Sequence, residues 1–117
     1  MNTPFETFSQ DLSDIITRAN RSIVSIRGRR AAGTGIHWRK GLIVTSCEAL
    51  QSESTFKLVL PAGETVETEL LGSDPTTDVA VLLLPKDLPE GTDLPLAVLG
   101  DAQTLAVGQL VSTAGYS

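Results

Sequence analysis

The chain has 117 residues, of which 41% are hydrophobic and 20% charged, and a formal net charge of −5 at pH 7. That length suits one globular core and leaves no room for a second, and the composition is the one expected of an ordinary soluble globular protein. The acidic balance repels phosphate backbones, so nucleic acid is not an expected partner, and no run of about 18 apolar residues is present to span a membrane.

Cys47 is the only cysteine. It permits no disulfide within the chain and no CxxC pair for zinc, and a lone thiol suits a reducing compartment. The opening MNTPFETFSQDLSDII lacks the basic and continuously apolar regions of a signal peptide. A cytoplasmic location is therefore expected, or a cell-envelope one if the sequence is truncated at its N-terminus.

In chain order, Thr3-Pro4-Phe5-Glu6 is a helix start, with Thr3 as N-cap, Pro4 at the first helical position and Glu6 completing a capping box. Phe5, Phe8, Leu12, Ile15 and Ile16 recur at helical spacing, which predicts one amphipathic helix to about residue 20, packed on the body of the domain. After Asn20 the texture turns to short β-rich runs: SIVSIRG (22–28), GTGIHW (33–38), GLIVTS (41–46), TFKLVL (55–60), ETVETELL (64–71), DVAVLLL (78–84) and GQLVSTA (108–114). Turn residues separate them, at Arg39-Lys40-Gly41, Pro61-Ala62-Gly63, Asp74-Pro75 and the stretch from Pro85 to Pro95. DVAVLLL is apolar throughout and is expected to be buried on both sides. The expected fold is all-β: one domain at 21–117, a six- to seven-stranded antiparallel Greek-key barrel, preceded by the helix at 1–20.

Few residues suggest chemistry by type alone. Cys47 and His37 are the sole thiol and sole imidazole, but Cys–His catalysis needs the two in hydrogen-bond reach. A buried structural cysteine and an ordinary strand histidine are expected. Five of the nine basic residues fall between Arg27 and Lys40; without interleaved aromatics they read as a solvated loop and hairpin tip. Trp38 is expected to cover one barrel end. Gly33 and Gly35 flank Thr34 without the Lys-Ser/Thr of a phosphate loop, so they mark a close approach of strands or a bulge. No cofactor and no metal site is expected.

Three stretches, in order, resemble trypsin-like serine peptidases of the HtrA/Deg type. GTGIHWRKGLIVTSCEAL is similar to the family's G-S-G-x-I-I-x-x-x-G-x-I-L-T-N-x-H-V, matching at Gly33, Gly35, Gly41 and Thr45. LGSDPTTDVAVL is similar to G-x-D-x-x-T-D-L-A-V-L, matching at Gly72, Asp74, Thr77, Asp78, Ala80 and Val81. LGDAQTLAVGQLVSTAGYS resembles the segment that closes the first of that family's two barrels. The resemblance implies that Asp78 holds the position of the triad aspartate and that Glu48 stands where the family has its catalytic histidine. It also implies that the serine nucleophile, oxyanion hole and substrate pocket belong to a second barrel not contained in these residues.

A triad needs an imidazole to take the hydroxyl proton and a carboxylate to fix its tautomer. With Glu48 in that slot the chain is expected to be inactive in this form, with Asp78 hydrogen-bonded to local amides or a loop hydroxyl and Glu48 reaching water. The resemblance also implies an exposed inter-barrel face, so the expected partner is another protein or a second copy of the chain. Two alternatives stay open: part of a working serine endopeptidase completed by a second barrel, and an unrelated peptide-binding β-barrel.

Overall fold

The computed structural model describes residues 3–116. Helix α1 (Pro4–Asn20) opens as its sequence predicts: Thr3 Oγ1 accepts from the Glu6 N–H at 3.1 Å, and Glu6 Oε2 accepts from the Thr3 N–H at 3.3 Å. The reciprocal pair satisfies amides that a helix start otherwise leaves free. The packing expected for the helix differs. None of its residues is buried; Leu12 and Ile16 are partly covered, while Phe5, Phe8 and Ile15 stay exposed.

Six strands follow: β1 (Ile23–Arg27), β2 (Ala32–Arg39), β3 (Leu42–Ser46), β4 (Thr55–Val59), β5 (Thr65–Asp74) and β6 (Val79–Leu83). They close into a barrel in the order β1-β2-β3-β6-β5-β4, and every pair is antiparallel. The run at 108–114, expected as a seventh strand, forms none. Closure supplies the reason: β1 pairs with β4 through Ser25–Val59, Ile26–Leu58 and Arg27–Lys57, so no open edge is left to receive it. Leu110 and Val111 of that run are consequently exposed.

The barrel interior is filled by Val24, Ile26, Ile43, Leu58, Ala80 and Leu82, all with no exposed surface, together with Phe56 and Val66. Gly35 leaves the room they need. A methyl group at Gly35 would run into Ile43 and come within 3.0 Å of Ile26 Cδ1 and 3.3 Å of Val24 Cγ2. Gly33 is less crowded but still tight, since a Cβ there would lie 3.0 Å from the Ala49 methyl. The two glycines thus mark the expected close approach, whereas the register shift of β2 falls further on, between His37 and Arg39.

Strand β6 departs from its reading as a strand buried on both sides. Ala80 and Leu82 point inward, while Val79 and Leu83 are 40% and 47% exposed. A closed barrel gives each strand one inner and one outer face, and the outer side of these two is only partly covered by the described residues. Strand β5 is the longest, and its register shifts between Leu70 and Gly72, which swings its end outward and delivers Asp74 to the turn before β6.

Beyond β6 the chain runs back across the barrel as a strap. Leu84 N–H donates to Gly41 O at 2.8 Å, Leu94 is buried, and Ala97 N–H donates to His37 O at 2.9 Å. His37 is the strap's anchor. Its Nδ1 lies 2.9 Å from Leu94 O, and its Nε2 accepts from the Gly41 N–H at 3.2 Å. These partners assign the proton to Nδ1 of a neutral ring.

Candidate active site

The candidate site lies where β3 ends and β6 begins. Ser46 and Val79 form the last ladder pair between the two strands, and the Cys47 N–H extends it to Asp78 O at 3.2 Å. The chain enters β6 through a turn in which Asp74 Oδ1 accepts from the Thr76 N–H at 3.0 Å. Asp78 follows with a φ of 57°, a left-handed conformation that aspartate tolerates better than most residues. That backbone turn aims its carboxylate across to the end of β3.

Both carboxylate oxygens are engaged there. Ser46 Oγ donates to Asp78 Oδ2 at 2.7 Å, and the Glu48 N–H donates to Asp78 Oδ1 at 2.9 Å. Glu48 opens a short 3₁₀ turn, Glu48–Leu50, whose preceding residue Cys47 contributes no side-chain cap. Asp78 supplies that cap from the turn before β6. The Ser46 hydroxyl, the Glu48 N–H and the Cys47 N–H hold the Asp78 carboxyl below its ordinary value, against a smaller opposing push from desolvation.

Asp78 and Glu48 therefore do meet, but through the Glu48 backbone; the Glu48 side chain is exposed. Two carboxylates brought side by side would raise one pKa, and here the second is turned to solvent instead. His37 and Cys47 are not brought together. Both His37 ring nitrogens are committed to Leu94 and Gly41. Cys47, expected to be buried, is only partly so and packs against the edge of the core. Trp38 is 37% exposed and stacks under the Arg39 guanidinium, 4.5 Å from the ring centre.

Among the described residues, no three or more of His, Cys, Asp and Glu converge as a metal site would require. An open groove of about 690 Å³ lies along the ends of β1, β4 and β5, lined by Arg27, Arg29, Lys57, Glu67 and Glu69 among others. It includes neither Asp78 nor its partners, so the chemistry-bearing cluster sits outside it.

Two contributors escaped the sequence reading. Ser46 is the hydroxyl partner of Asp78; the adjacent Thr45-Ser46 pair offered only a generic signal. Glu53 is the other. Its carboxylate accepts from the N–H groups of Arg29 (2.6 Å), Arg30 (2.9 Å) and Ala31 (2.6 Å), closing the β1–β2 loop over the loop after the 3₁₀ turn. Nothing in the spacing of Glu53 announces this.

The fold that frames this cluster is a closed, six-stranded antiparallel barrel. The family model for the trypsin-like peptidase domain matches residues 33–117, and the chain belongs to that family. Its relatives are of the HtrA/Deg type. The chain is 36% identical over 88 residues to a protein of Halomonas elongata named "Probable periplasmic serine endoprotease DegP-like", a match covering 74% of the chain. It is 34% identical over 92 residues to HhoA of Synechocystis sp., a candidate serine protease, covering 76% of the chain. It is likewise 34% identical over 76 residues to "Serine protease Do-like HtrA" of Lactobacillus helveticus, covering 65%. The matches span 18%, 23% and 17% of the length of those three relatives.

Proposed function

We propose that these 117 residues form the first barrel of an HtrA/Deg-type peptidase homologue that does not itself hydrolyse peptides and serves in binding or assembly. One observation carries the reading: the carboxylate at the triad-aspartate position is satisfied by the Ser46 hydroxyl and the Glu48 amide, with a glutamate where the family resemblance puts an imidazole. A carboxylate is a poor base toward a serine hydroxyl at neutral pH, and the one imidazole of the chain is spent on the strap. The 117 residues also hold no G-x-S-G-G stretch to carry a nucleophile.

Binding would use the inter-barrel face, taken up by a protein partner or another copy. The partly exposed outer side of β6, with Val79 and Leu83, favours such a use. The relatives named as periplasmic favour an envelope location over the cytoplasmic one expected from the lone cysteine and the N-terminal sequence. Among the described residues no helix is long and apolar enough to cross a membrane.

A second reading, part of a working serine endopeptidase, is favoured by the length of the relatives, of which these residues match only a fraction. Peptide cleavage by the intact gene product separates the two. The first reading expects no turnover, and no activity from Glu48→His in the 117-residue chain. Turnover by the intact product that Asp78→Ala abolishes would overturn it and establish the second.

A further inference from the structure

The loop after the 3₁₀ turn is built under constraint. Gln51 and Ser52 both take left-handed backbone, with φ of 53° and 60°, and neither is a glycine. Consecutive residues with side chains in that region carry a conformational cost that contacts outside the loop must offset. The turn itself contributes little. Its bonds from the Leu50 N–H to Cys47 O and from the Gln51 N–H to Glu48 O are both 3.3 Å long, and Leu50 is its one buried residue. What the left-handed pair achieves is direction: Glu53, the next residue, reaches back to the β1–β2 loop.

There its carboxylate seats on three consecutive amides. Oε1 accepts from the Arg29 N–H at 2.6 Å, and Oε2 accepts from those of Arg30 at 2.9 Å and Ala31 at 2.6 Å. Successive N–H groups converging on one point form an anion-binding nest, and here the anion is the chain's own. The bond from the Gly28 N–H to Ala31 O at 2.9 Å keeps the nest in shape. Gly28 also keeps the seat open, because a Cβ there would lie 2.6 Å from Glu53 Oε1 and 3.1 Å from its carboxyl carbon. The same short segment is gripped at its other end, where the Glu48 N–H donates to Asp78 Oδ1 at 2.9 Å. A turn with two long bonds of its own, clamped by a carboxylate at each end, keeps its position only while both clamps hold.

We propose that Glu53 is a positioning residue of the candidate site: seated on the amides of the β1–β2 loop, it fixes the 3₁₀ turn and so holds the Glu48 N–H against Asp78. The assignment stands whichever reading of catalysis is right, because it is read on Asp78 itself and not on turnover.

Two variants release the seat in different ways. Glu53→Ala removes the carboxylate. Gly28→Ala leaves it on the chain and evicts it, since the end of a flexible side chain gives way before backbone does. In both, hydrogen exchange of the Glu48 amide is expected to quicken about tenfold more than that of Leu58, which lies between two paired strands and reports the barrel as a whole. The Asp78 carboxyl, followed by carbon-13 NMR through an acid titration, is expected to protonate at higher pH than in the wild type. The Ser46 hydroxyl and then the Glu48 N–H hold it low, and the second of these donors is lost when the turn moves. The sign separates positioning from plain electrostatics: deleting a negative charge at Glu53 with the turn unmoved would shift Asp78 the other way. If in either variant the Glu48 amide quickens no more than that of Leu58, or Asp78 titrates at or below its wild-type position, the proposal is overturned.

Discussion

The strap offers the sharpest test of the energetics, through His37→Phe. The substitution keeps a flat ring of similar size in a site only 6% exposed, and removes the bonds to Leu94 O at 2.9 Å and from the Gly41 N–H at 3.2 Å. A polar group orphaned in a buried site costs about 1–3 kcal/mol. The Leu94 carbonyl, on a buried residue, belongs to the upper part of that range, and the longer Gly41 contact to the lower part. Together they place the expected loss at about 2–4 kcal/mol, a large share of the roughly 5–15 kcal/mol that keeps a domain folded. For a chain of this length that is a fall on the order of 10 °C in the melting midpoint. Calorimetry measures the total. Amide exchange of Ala97, whose N–H donates to His37 O, reports whether the strap itself has loosened. An unshifted midpoint with Ala97 as well protected as in the wild type would refute the assignment of His37 as the anchor.

Leu58, with no exposed surface at the barrel centre, is expected to cost about 2–5 kcal/mol as Leu58→Ala, read as a lower urea midpoint. Gly35→Ala is expected to lose about 1–3 kcal/mol by crowding Ile43, in contrast to the gain glycine replacement brings at relaxed sites. Thr3→Ala removes the N-cap and is expected to cost about 1 kcal/mol of helix stability, seen as reduced helical circular dichroism. Glu53 has a depressed carboxyl, held ionised by the Arg30 N–H first and then by those of Arg29 and Ala31. A depressed folded-state value contributes stability above the unfolded-state value and loses it as pH falls through the folded one. The stability gap between wild type and Glu53→Gln is therefore expected to be widest near neutrality and to close on acidification below the usual carboxylate range; a gap that widened in acid would reverse the sign.

Much of this fold can be read from local pattern. The Thr3–Glu6 capping box, the glycine turns at Gly41 and Gly63, and six of seven predicted strands lie where composition and alternation put them. The failures share a cause. Apolar content says that a residue prefers cover but not what covers it, so DVAVLLL reads as doubly buried and GQLVSTA as a strand. Barrel closure is a long-range property: pairing β1 with β4 both exposes one side of β6 and withholds a pairing edge from 108–114. At the candidate site, the position of Asp78 comes from a motif, while its partners do not. Ser46 and the Glu48 amide are 32 and 30 residues away in sequence and become neighbours only through the β3–β6 ladder. Glu53 was illegible for the same reason, its three amides lying 22 to 24 residues upstream.

The cross-strand cap at Asp78 bears on how such sequences drift. Because this carboxylate finishes a turn and ties two strand ends together, replacing it would disturb folding even in a lineage that had long ceased to cut anything. An aspartate in a T-D-x-A-V context is for that reason a marker of ancestry, and a poor guide to whether a given descendant still digests protein.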